Sequence, residues 1–278
     1  MINKNSLADR IVRISREKNV DASVLYARFF FDSFLSRLSA SPYRNNFVLK
    51  GGLLLSSLLG VENRSTMDMD FLLEKAKLSQ DEVIKRIKQI IVIDRGDGVT
   101  FSYLSCERIR PEDIYGGFSL HLEGRLSNIR MNFSLDVATG DPIVPGASDY
   151  DYRSILRQEN FPLKAYSFES VIAEKLETIL ERGLTNSRSK DFYDLYLLTA
   201  TNDELWGSPQ LLPAFRETCA HRSYHQTKEE NRKRTEDIRH SQPMRKRFDN
   251  FLSKKKYPIR VSFDAVIDQI EKLIDTLG

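Results

Sequence analysis

Asp68 and Asp70 stand one residue apart in Arg64-Ser65-Thr66-Met67-Asp68-Met69-Asp70-Phe71, a run closed by Leu72-Leu73. Side chains alternate along a strand, so the two carboxylates point one way while Met67, Met69 and Phe71 point the other. Carboxylates held side by side repel unless a cation lies between them. Mg²⁺ takes oxygen ligands and commonly uses one or two carboxylates together with substrate phosphates. Taken alone, the pair fits a solvated strand face with two surface aspartates better than a metal site.

Three further features shift that balance. Phe47-Val48-Leu49-Lys50 reads as a short apolar strand running into Gly51-Gly52, and Leu53 to Leu59 reads as a buried helix closed by Gly60. Strand, diglycine and helix start make a turn where backbone N–H groups approach a phosphate without a Cβ in the way. The glycines match neither GxxxxGK[ST] nor GxGxxG, and a plain helix-start turn explains them equally. In Met131-Asn132-Phe133-Ser134-Leu135-Asp136-Val137, alternation sends Phe133, Leu135 and Val137 to the core and Asp136 to the other face, a candidate third carboxylate.

The third feature is a helix pair. Ser167 and Ser170 are N-cap candidates, and the apolar stripe Ile172, Leu176, Ile179, Leu180 contains Lys175. In the next helix, Asp191 and Asp194 share a face with Leu195 and Leu198. Charges beside an apolar stripe need partners. Lys175 with either aspartate makes a structural ion pair or a cation held ready for a triphosphate, and the residues alone leave both readings open.

The elements that must position these groups follow from periodicity. Ser6 to about Asn19 and Asp21 to about Ser39 read as amphipathic helices, the second carrying Tyr26, Phe29, Phe30, Phe31 and Phe34. Residues 47–144 read as a mixed sheet with flanking helices. One of these opens at the capping box Ser79-x-x-Glu82 and buries Val83, Ile87, Ile90 and Ile91. Strands are expected at Val99–Leu104, Phe118–Leu122 and Ile129–Val137, with a loop-rich hinge from Asp141 to about Pro162. From Ser167 onward the pattern is helical, ending in the stripe Phe263, Val266, Ile267, Ile270, Leu273, Ile274. The expected organisation is an α/β lobe over residues 1–160 and a helical lobe over 161–278.

The 278 residues suffice for two proper cores. Cys106 and Cys219 lie in unlike contexts, arguing against a disulfide scaffold and for a reducing cytoplasm, and the four histidines are scattered. No apolar run approaches membrane-spanning length, and the start lacks the core of a signal peptide. The net charge of +3 is uneven, since residues 222–256 hold twelve Lys and Arg against five acids. Arg232, Lys233, Arg234, Arg245, Lys246, Arg247, Lys254, Lys255 and Lys256, interleaved with Tyr224, Phe248, Phe251 and Tyr257, are candidates for contacting RNA phosphates. A solvated charged helix face is the competing reading.

Lys50-Gly51-Gly52, Arg64-x-x-x-Asp68-x-Asp70, Leu135-Asp136-Val137, and Glu174-Lys175-Leu176 with Arg188-x-Lys190-Asp191-x-x-Asp194-Leu195 resemble, in order, the motifs of the AbiEii/MenT nucleotidyltransferases. That family is a branch of the DNA polymerase β-like superfamily and the toxin half of type IV toxin–antitoxin and abortive phage infection systems. The resemblance implies a polymerase β-like α/β core with a mixed sheet and a helical C-terminal lobe. It implies Mg²⁺ (or Mn²⁺) on Asp68, Asp70 and Asp136, with an NTP, GTP or CTP, as donor. Gly51, Gly52, Arg64, Thr66, Lys175, Arg188 and Asp194 would then bind the nucleotide, Lys175 at the β/γ phosphates, with Asp191 orienting Lys175 or contacting the nucleotide. The implied acceptor is RNA, most readily the tRNA 3′ end, and the implied partner is a cognate antitoxin. In some relatives the antitoxin modifies a Ser or Thr near the acidic pair, where Ser65 and Thr66 stand here. One departure matters: superfamily members often carry Gly-Ser at Gly51-Gly52, so the serine hydroxyl is absent or comes from Ser65, Thr66, Ser56 or Ser57. Nucleotidylation of a protein, a non-catalytic nucleotide-binding module and metal-dependent phosphodiester cleavage are the rival readings.

Overall fold

The computed structural model describes residues 4–75, 79–109, 116–157, 159–255 and 257–277, with backbone alone at residues 4, 5 and 255. The chain forms two compact units, one of residues 1–141 with 147–165 and the other of 142–146 with 166–278.

The first unit is built on a seven-stranded mixed sheet. Its strands are β1 (Phe47–Lys50), β2 (Asp68–Leu73), β3 (Val99–Ile109), β4 (Gly117–Leu126), β5 (Ile129–Ala138), β6 (Ser148–Arg153) and β7 (Asn160–Ala165), in the order β3-β4-β5-β2-β1-β7-β6. β2 runs parallel to β5 and β1 parallel to β7, and the other neighbours are antiparallel. Phe47, Val48 and Leu49 are buried in succession, as a central strand covered on both faces requires. The helices are α1 (Lys4–Lys18), α2 (Ala22–Ala40), α3 (Gly51–Leu59) and α4 (Gln80–Ile91). The Ser79 hydroxyl caps α4 by accepting from the Glu82 N–H, while the Glu82 carboxylate pairs with Arg86.

Two expectations from periodicity are corrected. α2 is not amphipathic: residues from Ala27 to Leu38 are buried in unbroken succession, Arg28, Asp32, Ser33, Ser36 and Arg37 included. Its polar residues face partners instead of water. Asp32 accepts from Arg28, Tyr152 (2.6 Å) and Ser154, and Arg37 donates to both Asp97 oxygens at 2.9 Å while Arg157 joins the same carboxylate. Buried charge is tolerated here because it is paired. The hinge expected over 141–162 holds the β6–β7 hairpin, whose inward Tyr152, Phe161 and Leu163 alternate too briefly to stand out among the prolines. Because β7 pairs with β1, the first unit extends to Ala165.

The second unit is helical: α5 (Phe168–Arg182), α6 (Ser189–Ala200), α7 (Leu211–His221), α8 (Lys228–His240), α9 (Gln242–Lys255) and α10 (Phe263–Leu277). α10 buries Phe263, Val266, Ile267, Ile270, Leu273 and Ile274. No helix among the described residues is long and apolar enough to cross a membrane. Cys106 and Cys219 are free thiols.

Candidate active site

Strand register builds the first cluster. Asp70 of β2 is the register partner of Asp136 on β5 and of Lys50 on β1, and Asp136 is the partner of Ser119 on β4. Lys50, Asp70, Asp136 and Ser119 therefore form one row across a single sheet face, and Asp68, two residues from Asp70, shares that face. Ser119 Oγ donates to Asp136 Oδ1 at 2.6 Å, and Lys50 Nζ reaches Asp141 Oδ2 at 2.7 Å. Burial and then the facing charge of Asp136 push the Asp70 carboxyl above its ordinary range, Lys50 opposing them in part. A half-buried carboxylate beside another is a group whose charge a cation would stabilise. Among the described residues no group of three or more His, Cys, Asp or Glu side chains is arranged to hold a metal ion. The donor set suits an ion that takes one or two carboxylates and completes its shell with substrate phosphates.

The diglycine has reasons within the fold. Gly51 adopts φ +64°, and a Cβ there would overlap the Asp70 carboxylate, 2.6 Å from its Cγ. The absent side chain lets Asp70 sit at the N-terminus of α3, where it accepts a hydrogen bond from the Gly52 N–H. A Cβ on Gly52 would lie 2.7 Å from Thr66 Oγ1 and 3.4 Å from an Arg64 guanidinium nitrogen. Thr66 and Arg64 are thus brought to the helix start, and the Thr66 hydroxyl fills the space a serine at position 52 would use. The other hydroxyl candidates on α3 are engaged elsewhere: Ser56 accepts from Arg28, and Ser57 meets Leu54 O and the Tyr150 hydroxyl.

Sequence reading set His121 aside, yet it belongs to this face. Its ring bridges Ser134 Oγ at 3.0 Å and Glu107 Oε1 at 2.9 Å, and Ser134 is the register partner of Asp68. Only the pairing of β4 with β5 and β3 reveals this. The period-2 alternation around His121 was its one sequence signal.

The second cluster lies in the helical unit. Lys175 Nζ on α5 reaches Asp191 Oδ1 at 3.0 Å and Asp194 Oδ2 at 2.8 Å, both on α6, and Arg188 Nε meets Asp191 Oδ2 at 2.6 Å. The side chains of Asp194, Asp191 and Lys175 are 0%, 4% and 14% exposed. Burial opposes ionisation of Asp191, but Lys175 and then Arg188 outweigh it and hold its carboxyl below the usual range. Two carboxylates and two cations meet here, and the ammonium is fixed in place by its own helix pair.

The basic segment separates into two sets. Arg232 pairs with Asp275, Arg234 donates to the carbonyls of Leu180 and Glu181, and Arg245 makes a two-pronged pair with Asp264. Lys233 is solvent-exposed on α8. Lys246, Arg247 and Lys254 converge with Arg188 and Lys190 on one cavity. Lys256 and the Lys255 side chain lie outside the described residues.

The family model described as nucleotidyl transferase AbiEii toxin, type IV toxin–antitoxin system, matches residues 33–269. The chain belongs to that family. It is a nucleotidyltransferase of the toxin–antitoxin class. Among solved structures, JHP933 of Helicobacter pylori is similar at 15% identity and TM-score 0.51, with 92% of each chain covered. A second H. pylori structure, provisionally named a nucleotidyltransferase, gives 15% identity, TM-score 0.51 and coverage of 92% and 95%. At that identity the likeness concerns the fold, and it agrees with the nucleotidyltransferase architecture. No curated protein matches the sequence.

Proposed function

We propose that this toxin transfers a nucleotide from an NTP, GTP or CTP, to the 3′ end of RNA, tRNA foremost, in the cytoplasm. Extension of the acceptor end blocks translation and gives an abortive-infection outcome that a cognate antitoxin restrains. The observation that carries the reading is the shared sheet face of Asp68, Asp70 and Asp136 beside the α3 N-terminus.

In this reading the acceptor hydroxyl oxygen bonds to the α-phosphorus, the bond to the β-phosphate breaks, and pyrophosphate leaves. Asp136, oriented by Ser119, takes the hydroxyl proton. Asp68, Asp70 and Asp136 would hold Mg²⁺ or Mn²⁺, and such an ion supplies charge neutralisation across the triphosphate. Thr66, Arg64 and the first amides of α3 contact phosphate oxygens, with the Thr66 hydroxyl serving in place of the superfamily serine. Lys175 contributes a point charge for the outer phosphates, with Asp191 and Asp194 orienting it.

The test is incubation with each α-labelled NTP, Mg²⁺ and total RNA. Label on RNA lengthened at its 3′ end, lost in Asp68→Asn, is expected. Label on protein, or shortened RNA, would overturn the reading.

A further inference from the structure

The N-terminus of α6 and the outer face of α9 enclose an open cavity of about 750 Å³. Arg188, Lys190, Lys246, Arg247 and Lys254 line it, and no carboxylate does among the described residues. Two of the cations have structural duties: Arg188 Nε donates to Asp191 Oδ2, and Arg247 donates to Asn186 O at 2.6 Å. Lys246 and Lys254 are solvent-exposed and form no ion pair among the described residues. Lys246 and Lys254 face no acid on this lining, so the site favours an anion with several separate charges. The α6 start adds backbone N–H groups at Ser189 and Lys190.

The cavity also has an aromatic wall. Phe251 lines it, and its ring is braced by Tyr193 and Tyr257, each with centroids 6.0 Å away. A cationic groove beside a fixed aromatic face is what single-stranded nucleic acid needs: phosphates on the cations, a base on the ring. A lone inorganic phosphate would leave most of the space and the ring unused. Arg232, Arg234, Arg239 and Arg245, which are tied to other groups, take no part in it.

We infer that this cavity binds successive backbone phosphates of a single-stranded RNA segment, with Phe251 stacking a base. The inference deepens the proposed function by locating where the acceptor is gripped, and it rests on RNA being the acceptor.

The test is binding of a labelled single-stranded RNA oligonucleotide to the full-length protein across a KCl series, without NTP. Each single-strand phosphate contact contributes a slope of about 0.7 in log K against log salt, roughly fivefold in affinity between 1 M and 0.1 M. Lys246→Gln with Lys254→Gln should lower the slope by about 1.4 and weaken binding roughly 25-fold at 0.1 M salt. Arg16→Gln with Lys85→Gln removes the same charge from exposed helix faces of the other unit and should leave the slope unchanged. Phe251→Leu should lower affinity without changing the slope, and an unchanged circular dichroism spectrum excludes misfolding in each variant.

Equal losses in both double variants would mean a general field and overturn the inference. So would an unchanged RNA affinity, or a loss confined to NTP binding measured separately. Because binding is read without turnover, a protein that grips RNA here yet transfers nothing would sink the reaction and keep the site.

Discussion

Removing the Lys175 ammonium is the most informative perturbation of the helical unit. Asp194 is fully buried and Asp191 nearly so, and both direct an oxygen at Lys175 within 3.0 Å. Lys175→Met keeps the length of the side chain but removes the ammonium that both buried carboxylates pair with. Breaking a buried pair in this way costs about 3–5 kcal/mol. For a unit of this size each kcal/mol lowers Tm by about 3 °C or more, so a fall of at least about 10 °C is expected.

The pH dependence should also invert. In the wild type Asp191 has a depressed pKa, so its contribution is present above the ordinary carboxylate range and lost as pH falls through the depressed value. In the variant only Arg188 opposes the burial of Asp191, so that carboxyl holds its proton more tightly and stability rises on acidification and is lost as pH climbs. Calorimetry at several pH values measures both effects. Lys175→Met with Asp194→Asn should recover most of the lost Tm and still transfer no nucleotide. An unchanged Tm in Lys175→Met would refute the pairing. Activity returning with stability in the double variant would make Lys175 structural.

Gly51→Ala should reduce transfer at least about tenfold, because it forces a side chain into positive φ, about 1–2 kcal/mol, and displaces Asp70; steady-state kinetics check this. Thr66→Ala should raise KM for the NTP about 10-fold or more, the loss of a hydrogen bond to a charged group. Thr66→Gly with Gly52→Ser should restore it, whereas Gly52→Ser alone should not, since the new Cβ meets Thr66 at 2.7 Å. Arg37 and Arg157 hold the Asp97 carboxyl at about 2 against burial, so the first unit carries stability that is full above about pH 4 and lost as pH falls through about 2. The difference is on the order of 2 kcal/mol, and acid titration of Asp97→Asn beside wild type should remove that segment of the curve.

The site was partly legible because short periods survive in sequence. Period-2 alternation put Asp68 with Asp70 and Asp136 on a polar face, and helical spacing placed Lys175, Asp191 and Asp194 on or beside apolar stripes. Which strands neighbour each other was not legible. The row Lys50–Asp70–Asp136–Ser119 and the bridge of His121 to Ser134 and Glu107 exist only through pairing between segments far apart in the chain. Charge alone also misled. Arg28, Asp32 and Arg37 gave α2 an apparent polar face because paired burial looks the same as exposure in a string of letters. The basic segment likewise read as uniform, although Arg232, Arg234 and Arg245 are tied to neighbours while Lys246 and Lys254 are not.

The central claim is that the acidic face of the sheet is a metal–nucleotide site. Crystals grown with Mn²⁺ and a non-hydrolysable GTP or CTP analogue address it through the anomalous signal of manganese. The account expects manganese at coordination distance from Asp68 and Asp70 oxygens, with the triphosphate at Thr66 and the start of α3. A nucleotide seated elsewhere, or manganese bound away from both aspartates, would contradict it.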